Sequence, residues 1–113
     1  MTFNNRAVFD KLRELKNPNG DYQAIGEPFD YPVRVITITN STDQTVYIST
    51  NGVDHHLRLS PGSHRVFDLT ANRTRNEGFF LNVGDLLQAR LLSSTATPAA
   101  NTAVWVEAIV HKS

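Results

Sequence analysis

From Val33 onward, apolar positions recur mostly at every second residue, in short runs broken by turn residues. Val33-Arg34-Val35-Ile36-Thr37-Ile38-Thr39 is rich in β-branched side chains, whose restricted χ1 suits a pleated strand. Asn40-Ser41-Thr42-Asp43 is a turn cluster, and Thr45-Val46-Tyr47-Ile48-Ser49 resumes with Val46 and Ile48 on one face. Asn51-Gly52 predicts a tight hairpin, because both residues tolerate positive φ. His56-Leu57-Arg58-Leu59 alternates cleanly, and Pro61-Gly62 supplies the second and third residues of a type II turn. Arg65–Leu69 sets Phe67 and Leu69 on one side. After a polar loop from Thr70 to Glu77, three further runs follow: Phe79-Phe80-Leu81, Leu86–Leu91 and Ala103–Val110. The last is apolar on both faces and reads as a central strand. About seven short strands with turn signals every 8–12 residues predict a mainly β fold. The expected architecture is a single antiparallel β-sandwich, Ig-like or jelly-roll-like, with a small barrel as the near alternative.

The first 32 residues follow a different pattern. Val8, Leu12 and Leu15 fall at i, i+4 and i+7, the spacing of one helical stripe, with Asn5 as N-cap. Lys11, Arg13 and Lys16 alternate with Asp10 and Glu14 on the other side. This predicts an N-terminal amphipathic helix ending at Asn17-Pro18-Asn19-Gly20, which cannot continue it. Residues 17–32 carry Pro18, Gly20, Gly26, Pro28 and Pro32 among Tyr22, Ile25, Phe29 and Tyr31. That mixture predicts an extended arm lying on a surface, either its own domain's or a neighbour's. The expected division is residues 1–32 as helix and arm, and residues 33–113 as the β-sandwich domain. A three-turn helix is marginal alone. Its stripe therefore caps the sandwich or docks on another chain.

Composition narrows the function classes. The 113 residues suit one domain. Eleven basic and eleven acidic residues leave no formal net charge, which argues against nucleic-acid and membrane-surface binding. The absence of Cys removes disulfides, thiolate metal sites and cysteine catalysis. No apolar run approaches the ~20 residues of a membrane span, and the N-terminus lacks the apolar stretch of a secretory signal.

Candidate chemistry is sparse. Asp54, His55, His56 and His64 lie close in sequence, but adjacent histidines entering a strand point to opposite faces and rarely share one ion. Asp68, Glu77, Asp85 and Glu107 show no convergent spacing for an acid–base pair. Glu107 shares a face with Trp105 and Ile109, and is expected to pair with Arg90 across strands. There is no nucleophile elbow and no Gly-rich phosphate loop. The expectation is no enzyme, no cofactor and no metal site. Arg58, Arg65, Arg73 and Arg75 form a basic series, yet the nearby aromatics Phe67, Phe79 and Phe80 read as core rather than stacking platforms.

The segment Ile36-Thr37-Ile38-Thr39-Asn40-Ser41-Thr42-Asp43-Gln44-Thr45-Val46-Tyr47-Ile48-Ser49 is followed by Asn51-Gly52-Val53-Asp54-His55. Together with Leu57-Arg58-Leu59-Ser60-Pro61-Gly62-Ser63, and with Asn72-Arg73-Thr74-Arg75 before Gly78-Phe79-Phe80-Leu81, it resembles small β-sandwich structural proteins of tailed-bacteriophage particles. The resemblance covers about two-thirds of the chain, Val33 to Val110, and rests mostly on turns and core strands. It implies a non-enzymatic virion subunit, made in the host bacterial cytoplasm. The leading expectation is an assembly subunit of the neck or head–tail connection, a collar or adaptor ring that docks through its N-terminal arm. Capsid decoration or cement is the alternative, and a soluble host-surface carbohydrate-binding module the second alternative. The expected partners are portal, neck, tail or capsid subunits and further copies of the chain. The residues expected to carry the contact are Val8, Phe9, Leu12, Leu15, Arg73 and Arg75. A sugar binder needs an exposed aromatic platform, and the single Trp, Trp105, sits in a strand that reads as buried.

Overall fold

The computed structural model describes residues 6–69, 81 and 83–112. Its strands are β1 (Arg6–Phe9), β2 (Arg13–Lys16), β3 (Gln23–Ala24), β4 (Val33–Asn40), β5 (Val46–Ser49), β6 (Leu57–Leu59), β7 (His64–Asp68), β8 (Gln88–Leu91) and β9 (Ala103–Lys112). They form two antiparallel sheets. The larger runs β1-β9-β4-β7, with β2 also on β9, and the smaller runs β3-β8-β5-β6. The protein is mainly β and sandwich-like, with the core between the sheets. Ile36, Ile38, Val104, Val106 and Val110 from the larger sheet and Val46, Ile48, Leu59, Ala89 and Leu91 from the smaller one are all buried in it. Each run contributes its alternate residues, as a strand with one covered face must.

Two of the changes of sheet, β4 to β5 and β6 to β7, are made where the turn chemistry is strong. At 60–63, Gly62 has φ +73° and Ser63 N–H donates to the Ser60 carbonyl at 3.1 Å, so Pro61-Gly62 makes its expected turn and hands the chain from β6 to β7. At the end of β4, buried Asn40 donates through Nδ2 to the carbonyls of Gln44 (2.7 Å), Leu59 (3.2 Å) and Ser60 (3.2 Å). Its Oδ1 accepts from the Thr42 N–H (3.0 Å) and hydroxyl (2.6 Å). One side chain thus ties the β4–β5 crossing to the β6–β7 crossing. The β5–β6 connection is looser than a two-residue hairpin. Thr50–His56 closes it, only Gly52 takes positive φ, and Asn51 Oδ1 caps the bend by accepting from the Val53 and Asp54 N–H groups at 2.9 Å.

The N-terminal helix is not found. Residues 1–5 lie outside the described residues, and residues 6–9 and 13–16 are strands rather than helix. β1 pairs with the end of β9 (Phe9 opposite Ile109) and β2 with its start (Arg13 opposite Val106), with a one-residue slip between them. Val8 faces inward, and after the bulge at 10–12 so do Arg13 and Leu15, while Phe9 and Leu12 face out. A stripe at 8, 12 and 15 fits a helix, but a bulged strand also uses positions 8 and 15. Tertiary context decides between them. β9 is apolar and long, and without β1 and β2 one of its edges would be a row of unpaired backbone groups.

The segment from 17 to 32 lies on this domain's own body. Ile25 and Phe29 are buried in the common core. Ile25 N–H donates to Leu87 O and Phe29 N–H to Asp85 O, each at 2.8 Å, and Leu91 N–H donates to Asn19 O at 2.7 Å. Arg13, expected on a solvated face, is instead 3% exposed. Its guanidinium lies 4.2 Å over the Phe29 ring and bonds Asp10 Oδ2 (2.7 Å), Glu27 O (2.8 Å), Lys11 O (3.2 Å) and Pro28 O (3.3 Å). Room for it comes from Gly26, at φ +73°, where an added Cβ would fall 2.7 Å from Arg13 Cβ.

Candidate interaction face

Alternation sends the odd-numbered residues of β9 outward, and its neighbours bring matching residues beside them. One row across the larger sheet reads Phe9, Ile109, Val35, Asp68; the next Glu107, Thr37, Val66; the next Glu14, Trp105, Thr39, His64. Leu12 joins this face from the bulge. Phe9 is 87%, Val66 58% and Leu12 55% exposed. Large apolar side chains gathered on one sheet face are the usual mark of a surface that another molecule covers. Between Phe9, Leu12, Val35 and Ile109 runs a groove of about 310 Å³, and the Glu107 carboxylate stands at its side. Among the described residues Glu107 has no ion-pair partner, so the groove offers apolar walls and one negative charge.

The residues expected to carry contact separate in the structure. Phe9 and Leu12 belong to this face. Val8 and Leu15, on the same strands, turn inward and pack against the core. Arg73 and Arg75 lie outside the described residues, as does Glu77. The Glu107–Arg90 pair does not form, because Arg90 is on β8 of the opposite sheet. Trp105 is half-buried on the outer face rather than in the core. Alternation correctly grouped Trp105, Glu107 and Ile109 on one face. It could not tell that the face is open.

The polar residues near the β5–β6 loop are engaged with one another. The His55 ring stacks on Tyr47 (3.9 Å between centroids, 7° between planes), and its Nδ1 is hydrogen-bonded to the Tyr22 hydroxyl. His56 Nδ1 accepts from the Thr50 N–H at 3.1 Å, and Asp54 Oδ2 from Asn51 Nδ2 at 2.8 Å. No group of three or more His, Cys, Asp or Glu able to hold a metal lies among the described residues. Arg58 lies on β6, the end strand of the smaller sheet, and Arg65 on β7, the end strand of the larger one. Among the described residues no helix is long and apolar enough to cross a membrane.

Three charge effects are visible. The Lys11 ammonium hydrogen-bonds and attracts the Glu27 carboxylate, lowering the Glu27 pKa below and raising the Lys11 pKa above their ordinary ranges. Partial burial raises the Tyr22 hydroxyl above its usual value, against the opposing pull of Arg90. None of these groups lines the groove. No known protein family, characterised protein or solved structure matches this chain.

Proposed function

We propose that this chain is a non-enzymatic structural subunit of a tailed-bacteriophage particle, docking on its neighbours through the outer face of the larger sheet. The observation that carries the docking is the exposure of Phe9 and Leu12 around Glu107, which has no ion-pair partner among the described residues. The virion assignment rests on the turn and strand segments between Val33 and Val110, which resemble small phage structural proteins. A neck or head–tail ring is the role argued for, and a capsid decoration role is the outcome that copy number separates from it.

The chemistry of the groove defines the neighbouring surface: apolar side chains for Phe9 and Leu12, with a Lys or Arg beside them to meet Glu107. An isologous contact centred on Glu107 would bring two carboxylates together, so the fitting neighbour presents a different surface. Lack of net charge allows many copies to pack closely without long-range repulsion.

The test is quantitative mass spectrometry of purified particles of the source phage, counting this chain against portal and major capsid protein. Ring-like stoichiometry supports the neck assignment and shell-like stoichiometry the decoration role. Absence from the particle overturns the virion reading. Leu12→Asp introduced into the phage separates docking from folding: incorporation is expected to fall while the purified variant keeps its β signal in circular dichroism.

A further inference from the structure

The opposite end of the same face carries a hollow of different chemistry. Glu14, Lys16, Asn17, Asn101, Thr102 and Trp105 line about 240 Å³ of open space, built wholly from described residues. Asn17 and Asn101 are at φ 52° and 63°, the non-glycine positions with left-handed backbone among the described residues. Asparagine tolerates this backbone better than most residues, so both positions serve as turn residues beside the strands they adjoin. Here they meet: the Asn17 N–H reaches the Thr102 carbonyl at 3.5 Å, which draws both amides to the rim of one hollow.

The Thr102 hydroxyl is committed, donating to the Ala99 carbonyl at 2.6 Å, but the longer polar side chains around this hollow are not. The side chains of Glu14, Lys16, Asn17 and Asn101 make no hydrogen bond or ion pair with a described residue, and the Trp105 indole makes no ring contact with one. Glu14 lies directly opposite Trp105 across the strands, and Thr39 flanks it on the other side. Carboxylate and ammonium balance in charge, which favours a neutral ligand over an anion or a cation.

We infer that this hollow is a binding site for a neutral saccharide. A pyranose presents a C–H face that fits an aromatic plane, and its hydroxyls both donate and accept. The indole supplies the plane, the two amides supply donors and acceptors together, and Glu14 and Lys16 complete the set. The hollow holds a single ring, with any further sugars running over the surface. Phe9 lies toward the other end of β9, while Leu12 and Glu107 adjoin Glu14 and Trp105, so a docked neighbour and a bound sugar would meet along the middle of the face.

Because Trp105 is the single tryptophan, intrinsic fluorescence of the full chain reports on this site alone. The probes are glucose, galactose, mannose and N-acetylglucosamine, and maltotriose and N-acetylchitotriose as longer forms. A saturable fluorescence change in the millimolar range with at least one of them is the expected result. Asn101→Gly keeps the left-handed backbone and deletes the amide. It is expected to weaken that binding roughly tenfold, the scale of one lost hydrogen bond in a partly buried site. Trp105→Ala, read by saturation-transfer NMR, should abolish it. No saturable change with any probe up to tens of millimolar overturns the site, and so does binding that Asn101→Gly leaves intact.

Discussion

Around the Arg13 guanidinium, backbone carbonyls from two segments, a carboxylate and an aromatic ring converge within a space that Gly26 leaves open. Removing one partner of a buried pair strands the others, so Arg13→Ala is expected to cost about 3–5 kcal/mol. Urea unfolding of the two proteins measures it. A loss below about 1 kcal/mol would mean that water serves those carbonyls as well as the guanidinium does. Gly26→Ala attacks the same place from the other side, through both a positive φ and a Cβ that would sit 2.7 Å from Arg13 Cβ. Its expected cost exceeds about 1 kcal/mol. Tyr22 gives a spectroscopic check at this scale. Its raised pKa means that the folded state holds the phenolic proton more tightly than the unfolded chain does. The stability it contributes is therefore present below the ordinary tyrosine range and lost as pH rises through the folded value. Ultraviolet titration of the three tyrosines should show a late component that Tyr22→Phe removes.

Among the elements, the N-terminal strands matter most. They cover one edge of β9, and the segment after them adds Ile25 and Phe29 to the core. Removing residues 1–31 therefore strips buried surface and exposes a sheet edge. The truncated chain is expected to lose cooperative thermal unfolding, where a detachable arm would leave the melting transition of the β body in place. Phe9→Asp on β1 and Leu12→Asp in the bulge after it act only at the surface. Each is expected to change stability by no more than about 0.5 kcal/mol in chemical denaturation. The Lys11–Glu27 pair joins the bulge to the following loop, with both side chains exposed. Its contribution is present at neutral pH, lost in acid as Glu27 protonates through its lowered pKa, and lost in alkali as Lys11 deprotonates through its raised one. Added salt should flatten both limbs of a stability–pH curve that Glu27→Gln already lacks.

For the whole molecule, the division between the legible and the illegible follows the range of the interactions. The strands from Val33 to Leu69 and the last strand were readable because alternation and turn chemistry are local. β-Branched runs, Pro61-Gly62 and the polar cluster after Asn40 each act through their own backbone. What alternation gave for Trp105, Glu107 and Ile109 was a shared face, without the fact that no layer covers it. The meeting of Asn17 with Thr102 was beyond local reading, since the two are distant in sequence and come together only because β2 runs beside β9. By itself, then, the sequence determined a mainly β chain, most of its strands and the sheet-changing turn at Pro61-Gly62, because these depend on residues within a few positions of one another. Only the tertiary structure decided that 6–9 and 13–16 are strands, that Arg13 is inside and that Trp105 faces a hollow. Each depends on which partner strand lies alongside, and a local pattern does not contain its partner.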